Sequence, residues 1–488
     1  MRRFSRVSTL AVATVVLASG ARAELPNKQV GQIVASVDDY SLQLSKVALQ
    51  IWDWAELGFH EQKSAALLQT ELKKAGFAIK TGVSGMPTAF VASFKRGTGG
   101  PVIGLLAEFD ALPGISQTAQ PSQKPRPGKE AAHACGHNLL GAGSLGAAIA
   151  VSKWMTANNI QGEVRLYGTP AEEGGGAKVY MTRDGLFNDV GAVLSWHPSW
   201  ENSAAQYRTL AVIASRFTFV GQSAAGGPSP EQGRSALDGV EAMDNMVNMM
   251  REHVPQDTRI HYIISDGGKA PNVVPSLAKS DYMTRHPVDA EALAVFNRVV
   301  KAGEGAALGT ATKMNHTVSI AYKDMLQNDT LGRVVDKNLR RAGTITLSPE
   351  ELVWAEAIRK TLPNPEKSDI SEISKVQPFT LDKQMYVSTD VGDISYVTPT
   401  SSLATAAVLP GTPGHSWQFA AAAGSSIGVK ATVLAAKTMA LSAAELMTDP
   451  TTLAAAKAEM EERRGGAGYT YKSMIGSAAP NLNYRDAK

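Results

Sequence analysis

The sequence predicts an α/β protein, in which an α/β/α domain with a central mixed sheet carries an inserted α+β domain of ferredoxin-like order. Three observations lead to this prediction. Helical and strand-like patterns alternate along residues 24–208 and again along 325–488, which is typical of helices layered on a sheet. Residues 209–324 carry a different order of elements. A chain of 488 residues is also too long for one simple core.

The elements of the larger domain follow from hydrophobic spacing. Apolar residues recur at helical intervals from Lys46 to Lys74. The pattern then predicts strands at 88–94 and 102–109, a small-residue helix at 138–158, strands at 163–170, 192–198 and 401–409, and an Ala-rich helix starting near Gly428. In such sheets ligands bind beyond the carboxyl ends of strands, which is where the loops DALPG, GTPAEEGGG and WHPSW fall. From about Gly465 the chain is expected to be irregular.

The inserted domain has its own order of elements. The spacing predicts strand 210–221, helix 235–253, strands 258–265 and 278–285, helix 289–303 and strand 316–323. This β-α-β-β-α-β order is the ferredoxin-like arrangement. Its position in the middle of the chain indicates an insertion into the larger domain.

The first 23 residues have the features of a cleaved export signal. MRRFSR is a basic start, TLAVATVVLASG is an apolar run too short for a good membrane span, and ARA offers a cleavage site. The protein is therefore expected to be periplasmic or secreted. This segment carries four arginines and no acid, so the rest of the chain has a net charge of −1. We expect neither nucleic acid nor membrane binding from so neutral a chain.

Candidate metal ligands stand in loops at the predicted strand ends. They are Cys135, His137, Glu173, His197 and His415. Zinc and manganese bind nitrogen, thiolate and carboxylate ligands that converge on one point. Each residue alone has an ordinary explanation: the single cysteine as a buried small residue, a histidine beside proline as a loop residue bonded to backbone. The pair Glu172 and Glu173 lies between a strand and three glycines, where one carboxylate can bind metal while its neighbour activates water.

Seven motifs in order give the chain a resemblance to a known family. They are LLAEFDALPG, HACGHN, GTPAEEGGG, SWHP, GGKAPNVVP, STDVGDISYVTPT and GTPGHSWQ. The chain resembles the M20 metallopeptidases, in particular their amidohydrolase branch, over roughly Gln29 to Ala440. The resemblance implies a catalytic domain in two parts, 24–208 and 325–488, and a lid and dimerisation domain at 209–324.

The resemblance also implies a role for each candidate. Cys135 is the bridging thiolate of a site for two divalent ions, zinc or manganese, with His137, Glu173, His197 and His415 completing the two ligand sets. Glu172 is the general base and later the proton donor. Asp110 orients a ligand or the metal-bound water. In the lid, Asn272 and Arg285 hold the carboxylate or carbonyl end of the substrate, although an exposed strand residue explains Arg285 equally well.

The surroundings of Cys135 suit this role. A helix N-terminus and two cations would together keep its thiol deprotonated. His133, two residues earlier, is expected to support the site from behind or to pack at the start of the helix.

The implied reaction is hydrolysis of the amide bond in an N-acyl or N-aroyl amino acid, with aminobenzoyl-glutamate-like conjugates as the leading substrates. Glu172 takes a proton from a metal-activated water and returns it to the leaving nitrogen. A homodimer formed through the lid is also implied. Two alternatives stay open: a dipeptidase or aminoacylase of the same family, and a catalytically silent protein that binds such conjugates. Retention of Glu172 argues against the silent protein.

Two positions depart from the wider family. Many relatives begin the site with a histidine two residues before the aspartate, where this chain has Glu108 in AEFD, as the amidohydrolase branch does. This favours the Cys-bridged variant and leaves the ligand role of Glu108 open. The family also typically carries a lid histidine that reaches the oxyanion of the neighbouring subunit's site. Here Ala225 in VGQSAAGGPSP stands near that position.

Overall fold

The computed structural model describes residues 24–485, and the export signal predicted at residues 1–23 lies outside the described residues. The helices are α1 Asn27–Trp54, α2 Gln62–Lys74, α3 His137–Ala157, α4 Ala177–Arg183, α5 Ala236–Met250, α6 Asp289–Gly309, α7 Asp329–Ala342, α8 Pro349–Arg359, α9 Val391–Ser395, α10 Trp417–Ala423, α11 Ser426–Thr448 and α12 Pro450–Arg463. The strands are β1 Ala78–Thr81, β2 Phe90–Arg96, β3 Val102–Ala107, β4 Leu112–Pro113, β5 Ala131–Ala132, β6 Gly162–Gly168, β7 Ala192–Ser199, β8 Tyr207–Arg208, β9 Ala211–Val220, β10 Arg259–Asp266, β11 Leu277–His286, β12 Lys313–Tyr322, β13 Lys383–Gln384 and β14 Thr400–Ala406.

The larger domain is built on a six-stranded mixed sheet with the order β1-β2-β6-β3-β7-β14. Strands β6, β3, β7 and β14 run parallel, while β1 and β2 are antiparallel additions at one edge. Both faces are covered. Leu105 of β3 belongs to the hydrophobic cluster formed with α1, α3 and α11, while its neighbour Leu106 belongs to the cluster formed with α4 and α9. This arrangement confirms the predicted α/β/α fold with a mixed sheet.

Helix α3 packs unusually close to the sheet because its glycines leave room. A Cβ at Gly143 would lie 2.8 Å from the ring of Trp196 on β7, and one at Gly141 would lie 2.7 Å from the carbonyl oxygen of Glu108. The indole of Trp196 donates to the carbonyl of Leu140 at 3.0 Å. The N-terminus of α3 is thereby fixed against the ends of β3 and β7.

The inserted domain is an antiparallel four-stranded sheet with the order β10-β11-β9-β12, covered by α5 and α6. Its elements follow the chain as β9, α5, β10, β11, α6 and β12. The ferredoxin-like order predicted for 209–324 is confirmed, and every one of these elements lies within that range.

The N-terminal helical region differs from the prediction. The apolar pattern at 46–74 belongs to two helices, since α1 begins at Asn27 and the chain breaks between Trp54 and Gln62. Ala55 and Phe59 hold left-handed backbone conformations with φ of 49° and 64°, which a continuous helix cannot accommodate. The sequence patterns also missed α7, α8 and α12.

One helix in the described part of the chain, α11, is long and apolar enough to cross a membrane. Of its most apolar window, 78% is buried within the protein. It packs against α1, α3 and α7 and belongs to the main hydrophobic cluster. We therefore interpret α11 as a core helix.

Candidate metal centre

The predicted site residues are carried to one edge of the larger sheet by the ends of its parallel strands. Glu108 and Asp110 follow β3, Glu172 and Glu173 follow β6, and His197 lies near the end of β7. The remaining candidates come from the start of α3 and from the loop before α10. Because parallel strands end at the same edge, residues distant in sequence meet there.

Within residues 24–485, three overlapping groups of side chains have potential ligand atoms within 4.8 Å of one another. The groups are Cys135, His137 and His197; Cys135, Glu173 and His415; and His137, Glu172 and Glu173. Because they share members, these six residues form one assembly, which we call the ligand cluster. It contains all five residues predicted as ligands, together with Glu172.

Asp110 holds two members of the ligand cluster at once. Its Oδ1 lies 2.8 Å from Nδ1 of His137, and its Oδ2 accepts a hydrogen bond from the backbone N–H of Glu173 at 2.9 Å. A proton on Nδ1 leaves Nε2 of His137 as a lone-pair ligand facing the ligand cluster. The structure thus gives Asp110 an orienting position, in keeping with the role implied by the family resemblance.

The charge around His137 also reflects its position. Burial alone would lower the pKa of His137, but the charges of Cys135, Asp110 and Glu108 raise it well above its ordinary value. Nε2 of His137 lies 3.2 Å from Oε2 of Glu108. Without a cation, a proton on this imidazole is the available counter-charge for the surrounding acids.

His197 meets Cys135 across the ligand cluster. Nε2 of His197 lies 3.5 Å from Sγ of Cys135, while Nδ1 lies 2.7 Å from the carbonyl oxygen of Pro198. Since a carbonyl only accepts, Nδ1 carries the proton and Nε2 is free to ligate. Burial, followed by the charge of His137, lowers the pKa of His197, so its neutral ligating form is favoured.

The Cys135 thiol needs a positive partner to ionise. Burial, followed by the charge of Glu173, raises the pKa of Cys135 well above its usual range. A thiolate at this position therefore requires compensating cations, which the remaining members of the ligand cluster are able to hold.

His415 completes the open side of the ligand cluster. Its Nε2 lies 3.2 Å from Oε1 of Glu173, and the hydrogen bond to Glu173 raises the pKa of His415. Its backbone has a φ of 54°, a left-handed conformation uncommon for histidine. Its side chain is 55% exposed, so solvent and small molecules reach the site from this side.

Glu172 lies among acids in a dry environment. Burial, followed by the charges of Glu108, Glu173 and Asp390, raises the pKa of Glu172 well above its ordinary value. A carboxyl group with a raised pKa takes up and returns a proton near neutral pH more readily than an ordinary glutamate. This is the property that a general base and proton donor needs.

The loop that carries Glu172 and Glu173 has an irregular backbone. Ala171 has a φ of 54° and Gly174 a φ of 107°. The buried carboxyl group of Glu61 supports the loop, since its Oε1 accepts from the N–H of Ala171 at 2.8 Å. Burial, followed by the charge of Asp110, raises the pKa of Glu61 to about 8.

Lys178 is a buried charge at the site that the sequence analysis missed. Its Nζ lies 2.6 Å from Oδ1 of Asp390 and 2.8 Å from Oε1 of Glu108, and its side chain is fully buried. Lys178 therefore fixes Glu108 behind His137 and offsets part of the negative charge around Glu172. The signal was present as a lone lysine in the apolar start of α4, AKVYM.

His133 lies behind the ligand cluster. Its Nε2 is 3.1 Å from the carbonyl oxygen of Ile51, and burial lowers its pKa to about 3. This buried, neutral imidazole links α1 to the start of α3, in keeping with the packing role expected for it.

The lid residues lie in different places. Arg285 of β11 donates to Oγ of Ser388 at 3.0 Å, which brings it to the boundary between the two domains. Asn272 lies exposed in the loop between β10 and β11. Its carbonyl accepts from the N–H of Gly226, and Ala225 pairs with Val273. The substrate-binding roles of Asn272 and Arg285 stay predictions.

The chemistry of the ligand cluster fits divalent metals. Three buried atoms, Oε2 of Glu108, Nε2 of His137 and Oε1 of Glu173, have no hydrogen-bond partner within the described residues. Unpartnered buried polar atoms are costly unless something else binds them. A thiol, imidazoles and carboxylates converging at one place form a donor set that zinc and manganese accept.

Comparison with known proteins gives a consistent result. A family model described as peptidase family M20/M25/M40 matches residues 104–481. The chain is 39% identical over 429 residues to one of the subunits of the p-aminobenzoyl-glutamate hydrolase of Escherichia coli, covering 83% of this chain and 89% of that protein. These findings confirm the family resemblance carried by the seven motifs.

Two solved structures share the fold at 17% sequence identity each. One is an aminobenzoyl-glutamate utilization protein from Klebsiella pneumoniae, with a TM-score of 0.58 and coverage of 83% of this chain and 98% of that chain. The other is a dinuclear metal-binding peptidase of the M20 family from Bacillus subtilis, with a TM-score of 0.55 and coverage of 84% and 99%. Both agree with a catalytic domain that carries a lid.

Proposed function

The chain belongs to peptidase family M20/M25/M40, and from this premise we propose that it releases an amino acid from an N-acyl or N-aroyl amino acid by metal-dependent hydrolysis. Members of this family hydrolyse C–N amide bonds, and the chain is a hydrolase of that class. The observation that carries the proposal is the ligand cluster, in which five potential metal ligands surround Glu172.

The proposed cofactor is a pair of divalent ions, zinc or manganese. Cys135 would bridge the pair, and His137, Glu173, His197 and His415 would complete the two ligand sets. When bound, such ions activate a water molecule and polarise the carbonyl to be attacked. The unpartnered atoms of His137 and Glu173 support this assignment.

The residues of the chain divide the remaining work. Glu172 accepts a proton as its raised pKa allows and delivers it to the nitrogen that leaves. Asp110 keeps His137 and Glu173 in place through its two oxygens. Asn272 and Arg285 are proposed to bind the carboxylate or carbonyl end of the substrate, a role for which amide and guanidinium donors are suited.

The proposed substrates are conjugates with an aromatic acyl group, such as p-aminobenzoyl-glutamate. The support is the likeness to the Escherichia coli hydrolase over most of both chains. A dipeptidase or an aminoacylase of the same family is the alternative within this chemistry. Pocket shape decides between them, and one methylene group in an apolar pocket changes discrimination by only about 10- to 200-fold.

The test measures free amino acid released from a panel of N-acyl amino acids, N-aroyl amino acids and dipeptides, using protein loaded with zinc or with manganese. Glu172→Gln is the matched variant because it preserves side-chain size and removes the proton acceptor. We expect release by the parent protein and a fall of about 10²- to 10⁴-fold in the variant, at equal metal content. No release by the parent protein or by Ala225→His would favour the catalytically silent binder.

We also propose a homodimer formed through the lid. The support is an exposed apolar surface on β10 and α5, where Ile263 is 64% exposed and Met249 is 69% exposed. Mass measurement over a range of concentrations tests it, and a monomer at every concentration would contradict it.

Export to the periplasm or the medium is a further proposal, supported by the composition of residues 1–23. Amino-terminal sequencing of protein recovered outside the cytoplasm should begin at or near Glu24. Recovery of the uncleaved chain in the cytoplasm would contradict it.

A further inference from the structure

The last described residues of the chain return to the loop that carries Glu173. After α12 the chain runs from residue 465 to 485 without a helix or strand, and we call this segment the C-terminal tail. The phenol of Tyr484 donates to the backbone carbonyl oxygen of Glu173 at 3.2 Å. The guanidinium of Arg485 donates to the same oxygen. Two side chains of the C-terminal tail thus bind one peptide group at the ligand cluster.

The C-terminal tail reaches this position along a defined path. The hydroxyl of Tyr471 donates to Oδ1 of Asp393 at 2.5 Å. Farther along, Nη1 of Arg183, at the end of α4, donates to the carbonyl of Ala478 at 2.6 Å. Near its end, the ring of Tyr484 packs edge-on against Phe59, with ring centroids 5.7 Å apart. These contacts fix the C-terminal tail before it meets the loop.

The loop itself needs outside partners. Gly174, directly after Glu173, has a φ of 107°, so neither a helix nor a strand fixes this backbone. The N–H of Glu173 is held by Asp110 at 2.9 Å. The peptide carbonyl on the other side of the same residue is held by Tyr484 and Arg485. Glu173 is therefore fixed from both sides, and one of those sides belongs to the C-terminal tail.

We propose that Tyr484 and Arg485 are positioning residues for the metal ligand Glu173, so that the C-terminal tail sets the metal affinity of the site. This inference rests on the proposed metal-dependent function. Both residues lie beyond 104–481, the part of the chain that the family model matches. They act through the backbone of Glu173, because groups that orient a metal ligand commonly change affinity by about 10- to 100-fold.

The experiment titrates metal-free protein with Zn²⁺ in competition with a chromophoric chelator. The variants are Tyr484→Phe, Arg485→Ala, the two combined, and the conservative Arg485→Lys. We expect the combined variant to bind Zn²⁺ about 10- to 100-fold more weakly. Tyr484→Phe keeps the ring on Phe59 and should lose a smaller part of that affinity, while Arg485→Lys keeps a cationic donor and should lie near the parent protein.

Two controls separate positioning from general stability. Asn483→Ala changes an exposed residue in the same segment and should leave Zn²⁺ affinity unchanged. Thermal unfolding of each metal-free variant should stay close to that of the parent protein. If the combined variant fails to fold, Tyr484→Phe alone decides the question. Zn²⁺ affinity within twofold of the parent protein in folded variants would overturn the inference.

Hydrolysis is measured separately, at saturating Zn²⁺. There the variants should recover most of the kcat of the parent protein, because excess metal offsets weaker binding. A fall in kcat that excess Zn²⁺ leaves uncorrected would contradict a role in affinity alone. A parent protein that binds Zn²⁺ tightly and releases no amino acid would defeat the proposed function, while the affinity comparison would still decide the role of the C-terminal tail.

Discussion

In the catalytic domain the candidate ligands meet within 4.8 Å of one another, whereas in the lid Asn272 and Ala225 lie on an exposed tip and belong to none of these groups. The first region is held together inside one chain by buried hydrogen bonds and ion pairs. The second presents its polar groups outward, although Arg285 reaches back to the domain boundary.

This difference teaches that the two regions obtain their precision in different ways. Buried charges such as Lys178 and Asp110 fix the ligand cluster before anything binds. The tip of the lid has no such network within the described chain, so its order would come from substrate or from a second subunit. Variants in the catalytic domain should therefore change stability or metal binding, while variants in the lid should change turnover or substrate affinity.

The largest expected effect comes from Lys178→Met. The change leaves Glu108 and Asp390 buried without their cation, and breaking a buried pair in this way typically costs about 3 to 5 kcal/mol. Chemical denaturation of metal-free protein measures the loss. Lys437→Met is the matched control, since the partner of Lys437, Asp38, is 52% exposed and such pairs contribute about 0 to 1 kcal/mol. Equal losses in the two variants would contradict a buried charge network.

Ala225→His should act in the opposite direction and in the other region. If the tip of the lid lacks an oxyanion donor, restoring an imidazole there should raise kcat by about 10²-fold, because one such donor is worth that much. Zn²⁺ affinity should not change. Ala224→His serves as the control at the neighbouring position. Unchanged or lower turnover in Ala225→His would remove the idea of a missing donor.

Asp110→Asn should weaken metal binding by about 10- to 100-fold. The amide can no longer accept from both Nδ1–H of His137 and N–H of Glu173, so one of the two ligands is released. Competition with a chelator measures the change. Asp189→Asn removes a carboxylate that pairs with Arg165 on the surface of the same domain and should leave metal binding intact. Wild-type affinity in Asp110→Asn would show that the ligand cluster does not depend on this group.

The smallest effect is expected for Asn272→Ala. Loss of one hydrogen bond to a charged substrate group should raise KM by about 10-fold, with Zn²⁺ affinity and stability unchanged. Steady-state kinetics with the best substrate of the panel measures it. Asn245→Ala, on exposed helix α5, is the matched control. A change in metal affinity here would erase the distinction between the two regions.

The sequence predicted the ligand cluster because parallel strands bring their ends together. Once β3, β6 and β7 are recognised, Asp110, Glu173 and His197 must lie near one another. The break between α1 and α2 was missed because apolar spacing continues through it, and only the backbone at Ala55 and Phe59 reveals it. Position along a strand is visible in sequence, whereas a local left-handed residue other than glycine is not.

Contacts between distant segments were not predictable in the same way. Lys178 and Asp390 are 212 residues apart, and nothing in either local pattern indicates the pairing. The lone lysine in the apolar start of α4 was a visible signal, but its partner depends on how the second part of the catalytic domain returns to the first. The irregular C-terminal tail was expected, while its contact with Glu173 was not.

The two-sided hold on Glu173 has a consequence for the order of folding. Asp110 precedes Glu173 by 63 residues, and Tyr484 follows it by 311. Contacts of such large sequence separation close long loops and form slowly. Zinc capture should therefore be a late event that waits for a finished polypeptide. In refolding followed by stopped flow, zinc uptake should trail the burial of Trp196, and simultaneous signals would speak against this order.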